Sequence, residues 1–130
     1  MKQLLTETQE KKKPVKRLAV NSKLVTTVVD AIQDKKGQDV VSLDLRKISE
    51  AVADFFVVCD ANSPVQVKAI ADHIVEKVEE ELGEKPYHVE YGEKWTLVDF
   101  VDVVVHIFTL DYRQFYSLEN LWEDAPKKNY

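Results

Sequence analysis

Cysteine is almost absent from the 130 residues: Cys59 stands alone, so no intramolecular disulfide can form, and the chain suits a reducing compartment. Its apolar neighbours Val57 and Val58 mark it as a core thiol rather than a nucleophile. Long apolar runs are also missing. The stretches Phe55–Cys59 and Val103–Val105 are strand-sized, well short of the ~18 residues that span a bilayer. The first twenty residues hold no apolar h-region, so no secretory signal is expected, and the chain is expected in the cytoplasm without a membrane partner. There is no H-x-x-x-H or C-x-x-C pair, and His73, His88 and His106 fall on three different elements, so no metal site is expected. A Gly-rich phosphate loop, a Ser/His/Asp arrangement and any nucleophile–base spacing are lacking too. No cofactor is therefore called for, and a binding domain is favoured over an enzyme.

What remains is an ordinary globular balance, 45% hydrophobic and 32% charged, of a length suited to one domain. Charge is unevenly spread within the overall −5. Residues 1–17 carry six basic side chains against Glu7 and Glu10, a net of +4, which leaves −9 on the rest. An acidic body is repelled by duplex nucleic acid and drawn to a basic protein. Residues 1–17 read as a basic flexible leader, solvated or touching RNA phosphates; residues 18–125 read as the folded domain and 126–130 as a tail.

Hydrophobic spacing predicts the elements. Asn21 or Ser22 can cap a helix with Leu24, Val25, Val28, Val29 and Ile32 on one face, ended by Lys35, Lys36 and Gly37. Val40–Leu45 alternates as a half-buried strand, and Asp54–Asp60 reads as a central strand covered on both faces. Ser63-Pro64-Val65-Gln66 is a capping box, followed by the stripe Val67, Ile70, Ala71, Ile74, Val75, Val78, Leu82 and a stop at Gly83. Pro86–Tyr91 is a short edge strand, open to self-association as a homodimer. Trp95–Asp99 and Val103–Phe108 form a strand pair turning near Phe100–Asp102, and Asp111–Trp122 is one or two short helices with Phe115, Leu118, Leu121 and Trp122 inward. The order predicts an α/β (α+β-like) domain with a mixed sheet and flanking helices.

Three features carry chemistry. Asp99 and Asp102 flank a turn, where aspartates bond their own backbone more often than they pair for acid–base work. Asn62-Ser63-Pro64 at a helix start is a weak anion site. His106 is either a core histidine or part of a binding surface. The late aromatics Tyr91, Trp95, Phe100, Tyr112, Phe115 and Tyr116 suit a protein interface, because tryptophan and tyrosine bury much area with few rotors.

Four blocks then stand in order: Asp54-Phe55-Phe56-Val57-Val58; Asn62 to Asp72; Trp95-Thr96-Leu97-Val98-Asp99-Phe100-Val101-Asp102 on to Phe108; and Arg113-Gln114-Phe115-Tyr116-Ser117-Leu118-Glu119-Asn120-Leu121-Trp122. Together they resemble the ribosomal silencing factor (Iojap-related) family from about Ser22 to Ala125. The resemblance implies a nucleotidyltransferase-like fold with a mixed five-stranded sheet. It also implies binding to the large ribosomal subunit through ribosomal protein fourteen. Subunit joining would then be blocked sterically and translation repressed, chiefly under nutrient limitation. Carried over by position, Trp95, Leu97, Asp99 and Phe100 match the family's likeliest contact strand. Asp102 and His106 match its Asp-x-x-x-His strand, and Arg113 and Tyr116 its Arg-x-x-Tyr block. Ala61-Asn62 stands where the family usually has glycine, and the loop Glu90–Lys94 is shorter than usual. The alternative is a nucleotide-binding or vestigial nucleotidyltransferase domain, disfavoured because no Asp-x-Asp follows Ser63.

Overall fold

The computed structural model describes residues 15–130, with side chains from Ser22 onward; the basic leader lies almost wholly outside the described residues. Its elements are α1 (Val15–Asp34), β1 (Gln38–Asp44), β2 (Phe55–Ala61), α2 (Pro64–Leu82), β3 (His88–Glu90), β4 (Trp95–Asp99), β5 (Val103–Thr109), α3 (Leu110–Tyr116), α4 (Leu118–Leu121) and β6 (Lys127–Asn129). They build an open six-stranded sheet in the order β3-β4-β5-β2-β1-β6. Only β2 and β5 run parallel, in register from Phe55↔Val103 to Ala61↔Thr109; the other pairs are antiparallel.

The mixed sheet with helices is as expected, but it holds six strands rather than five. The sixth comes from the tail: Lys127–Asn129 pairs with β1, and the Tyr130 N–H donates to the Val40 carbonyl at 3.0 Å. All three β6 residues are exposed, so its pairing is made by backbone and leaves no hydrophobic trace in the sequence. The first helix also begins earlier than expected. It runs from Val15, so Asn21 and Ser22 lie inside it rather than capping it.

Period-2 alternation sorts the sheet into two faces. Val57, Cys59, Val98, Phe100, Val103, Val105 and Ile107 pack under α1 and α2, where the predicted stripes Leu24–Ile32 and Val67–Val78 are buried. Val41, Leu43, Phe56, Val58, Leu97, Val104 and Phe108 face the other way, beneath residues 45–53 and the short α3–α4 segment. Two long helices therefore cover one face, and thin irregular cover lies on the other.

Helix ends follow their local chemistry. The Ser63 hydroxyl accepts from the Gln66 N–H at 3.2 Å, with Pro64 in the first turn. The Gln66 side chain accepts from Asn62 N–H at 2.7 Å, one residue earlier than the capping box predicts, and donates to the Lys35 and Lys36 carbonyls at the end of α1. Ser63→Ala is expected to lower stability by about 1 kcal/mol, read as a shift of the urea midpoint at constant slope. Gly83 closes α2 at φ 67°, the left-handed cap that glycine favours. At the end of α1 that conformation belongs to Lys36 (φ 65°) instead; Gly37 is needed because a Cβ there would run into the Ile32 side chain.

Candidate functional site

β4 and β5 form the expected hairpin, with Trp95 opposite Phe108, Leu97 opposite His106 and Asp99 opposite Val104. Its turn carries backbone strain: Val101, a β-branched residue, sits at φ 77°. The Asp99 carboxylate secures it by accepting from the Val101 N–H at 2.7 Å. Burial pushes the Asp99 carboxyl above its usual range, and that N–H works against the shift. Asp102 is buried at the same turn, and its carbonyl accepts from the Asp54 and Phe55 amides, tying the turn to the start of β2. The Asp99 carboxylate serves the backbone of the turn, as the turn reading had it.

At the other end of the hairpin the side chains form a row of rings. The Trp95 indole stacks on Phe108 (centroids 4.9 Å apart) and leans on Tyr116 at 5.1 Å. Tyr116 meets Tyr112 at 5.4 Å and Phe115 edge-on at 5.1 Å. The Trp95 Nε1–H donates to His106 Nδ1 at 3.2 Å, and Phe56 contacts the His106 ring edge-to-face at 4.6 Å. Desolvation pushes His106 down to about 3, so the ring is neutral at ordinary pH.

Arg113 anchors α3 to the sheet. Its guanidinium donates to the Asp39 carbonyl (2.6 Å), the Asp60 carboxylate (3.1 Å) and the Glu119 carboxylate (2.8 Å), so one side chain joins β1, β2, α3 and α4. Between α3 and α4 the chain turns through Ser117, at φ 46°.

The eight residues singled out by sequence separate by exposure. Leu97, Asp99, Phe100, Asp102, His106 and Arg113 are buried, none more than 8% exposed, and Phe100 turns to the α1–α2 face. Trp95 is half-buried and Tyr116 is 45% exposed. The structure thus brings Trp95, His106 and Tyr116 into one cluster with Leu97 beneath it, and sets Asp99, Phe100 and Asp102 apart at the turn.

Sequence reasoning missed most of the open surface. Leu110 (49%), Phe115 (79%) and Leu121 (70%) are exposed, whereas Phe115 and Leu121 were expected inward with Leu118 and Trp122. The helical stripe fails because α3 lasts only seven residues and the left-handed Ser117 resets the phase before Leu118. Leu118 and Trp122 do pack on the sheet. Phe115 and Tyr116 thus carry the ring row outward from Trp95 as an exposed aromatic platform, with Leu121 exposed on the next short helix; Leu110 opens instead toward the hollow lined by Asp39, Asp60 and Arg113.

Other chemistry finds little here. Among the described residues no group of three or more His, Cys, Asp or Glu could hold a metal. His73 on α2 bonds Asp34 and His88 on β3 lies near Glu90, whereas His106 on β5 bonds Trp95. At the Ser63 cap the Asn62 and Gln66 amides are already taken by side chains, which weakens the case for a phosphate there. Cys59 is fully buried, and desolvation pushes its thiol far above the usual range. No helix among the described residues is long and apolar enough to cross a membrane.

Comparison with known proteins points one way. A family model described as "Ribosomal silencing factor during starvation" matches residues 19–130. The ribosomal silencing factor RsfS of Halalkalibacterium halodurans is 46% identical over 108 residues, covering 82% of this chain and 91% of that protein. The Bacillus subtilis protein of the same name is 44% identical over 97 residues, covering 74% and 81%. Among solved structures, a Chromobacterium violaceum protein superposes with a TM-score of 0.73 at 31% identity, over 78% of this chain and 85% of that one.

Proposed function

Because this chain belongs to the ribosomal silencing factor family, we propose that it represses translation by occupying the large ribosomal subunit. The contact is ribosomal protein fourteen, the small subunit is excluded sterically, and the setting is the cytoplasm under nutrient limitation. Such a mechanism needs no bond made or broken, and so no catalytic residue.

The observation that carries this reading is the exposed aromatic platform on an acidic body. Contiguous exposed apolar groups rimmed by polar ones mark interaction sites. Tyrosine, tryptophan and phenylalanine are the side chains from which interface hot spots are built. The net charge of −9 on residues 18–130 complements a basic partner, and opposite potentials speed encounter and set orientation. In this proposal Trp95 and Tyr116 touch the partner, as do Phe115 and its apolar neighbours. Leu97, His106 and Arg113 support them from within, while Asp99, Phe100 and Asp102 hold the far turn of the hairpin. The basic leader adds contact with ribosomal RNA, and β3, at the sheet edge, is the strand through which a homodimer would form.

Trp95→Ala is expected to weaken binding to large subunits by ~2 kcal/mol or more. Phe115→Ala should act in the same direction without harming the fold, since that ring is 79% exposed. Co-sedimentation with purified large subunits, alongside a subunit-joining assay, measures both. Two variants that bind and block joining like the wild type would remove the platform from the proposal.

A further inference from the structure

A histidine inside an apolar cluster is costly unless its polarity is used. His106 is 5% exposed and lies among Phe56, Trp95 and Phe108. Its Nδ1 accepts from the Trp95 indole at 3.2 Å, while its Nε2 is buried with no hydrogen-bond partner. A residue present only to fill the core would carry neither feature, because leucine or phenylalanine occupies such a place without an orphaned polar atom.

The donor is unambiguous. An indole nitrogen can only donate, so the histidine nitrogen facing it must hold a lone pair, which places the imidazole proton on Nε2. The neutral ring keeps that acceptor available throughout the physiological range. Stacking on Phe108 fixes the plane of the indole but not its rotation within that plane. The Nε1–H bond removes the second freedom and determines which indole edge meets Tyr116 and the solvent.

We infer that His106 is a positioning residue: its Nδ1 lone pair orients Trp95 at the rim of the α3–α4 platform before any partner arrives, and His106 itself touches no partner. This rests on Trp95 being a contact residue. Preorganising one interface side chain saves the entropy of ordering it on binding, which corresponds to a change in affinity of a few-fold to about tenfold.

The test uses the full chain with its two tryptophans, Trp95 and Trp122, labelled at the indole nitrogen. His106→Phe keeps a ring but removes the acceptor, and His106→Leu replaces it should the phenylalanine variant not fold. His106→Asn restores an acceptor near the position of Nδ1. In the acceptor-less variant the Trp95 Nε1–H resonance should shift and exchange with solvent about tenfold faster, while Trp122 stays put. Affinity for large subunits should fall about three- to tenfold, and the asparagine variant should recover part of both changes. A Trp95 resonance unmoved in the acceptor-less variant overturns the inference whatever the affinity does. A moved resonance with unchanged affinity overturns it too, provided Trp95→Ala does weaken binding. If Trp95→Ala leaves affinity intact, the contact reading falls and takes the positioning role with it, and the resonance shift distinguishes that failure from the first.

Discussion

Arg113→Ala is expected to destabilise the fold by about 3–5 kcal/mol, the cost of breaking a buried ion pair from one side. The Arg113 and Asp60 side chains are 9% and 2% exposed, so water cannot replace the lost guanidinium. Burial pushes the Asp60 carboxyl up, and Arg113 is the cation that opposes this. Without it, Asp60 is left as a charge in the interior or must take a proton. The Asp39 carbonyl and Glu119 lose their donor as well. Urea unfolding measures the loss. Arg113→Lys should fall between the two, since an ammonium keeps the charge but cannot fork to three acceptors. Removing both charges, as Asp60→Asn with Arg113→Met, should cost less than Arg113→Ala alone because the deeply buried Asp60 charge goes with its partner, and Glu119, 22% exposed, can reach water. An Arg113→Ala variant within about 1 kcal/mol of the wild type would show that the pair is not effectively buried.

The second large effect is a loss of stability in acid traceable to His106. Its folded value, about 3, lies below the ordinary 6.5 of an unfolded chain. Above 6.5 both states are neutral and the contribution to stability is fully present. Below it the unfolded chain takes a proton that the folded chain refuses. Stability then falls by about 1.4 kcal/mol per pH unit until the folded value is reached. Asp60 and Asp99 act in the opposite sense, because burial raises both: their contribution is present at low pH and declines as pH rises through the folded values. They flatten the observed curve, so the histidine is isolated by difference. Unfolding of wild type and His106→Phe from neutral pH to about 4.5 should show the wild type losing more, by about 2–3 kcal/mol at the acid end. Parallel curves would exclude His106 as the source.

Much of this fold was legible in the sequence because its strongest signals are periodic. The stripes of α1 and α2 and the unbroken apolar run of β2 each predict their burial, and the Ser63 box and Gly83 bound α2 within a residue. The β4–β5 alternation assigned Leu97 and Val98 to opposite faces, as observed. What escaped has no periodic signature. β6 is three exposed residues paired through the backbone, and no hydrophobic pattern announces it. The α3–α4 platform escaped for a different reason: a helix stripe assumes a constant phase, and Ser117 interrupts it. Sequence alone named Trp95 and Tyr116 and grouped His106 and Arg113 with them. It could not say that the latter two are buried, because burial there depends on chain segments far apart in sequence.

The single parallel pair at the middle of the sheet also governs the order in which the molecule can assemble. β1 and β2 are neighbours along the chain, and so are β4 and β5; each pair can close over a short loop. β2 and β5 are separated by all of α2, β3 and β4, so their seam carries the larger loop-closure cost. Until it forms, Phe55-Phe56-Val57-Val58-Cys59 offers an unpaired edge with no charge and no proline, the composition of a segment that pairs with copies of itself. A strand flanked on both sides in the finished sheet is thus open to mispairing on the way to it. The β4–β5 hairpin that covers this edge in the finished sheet is also the element that carries Trp95.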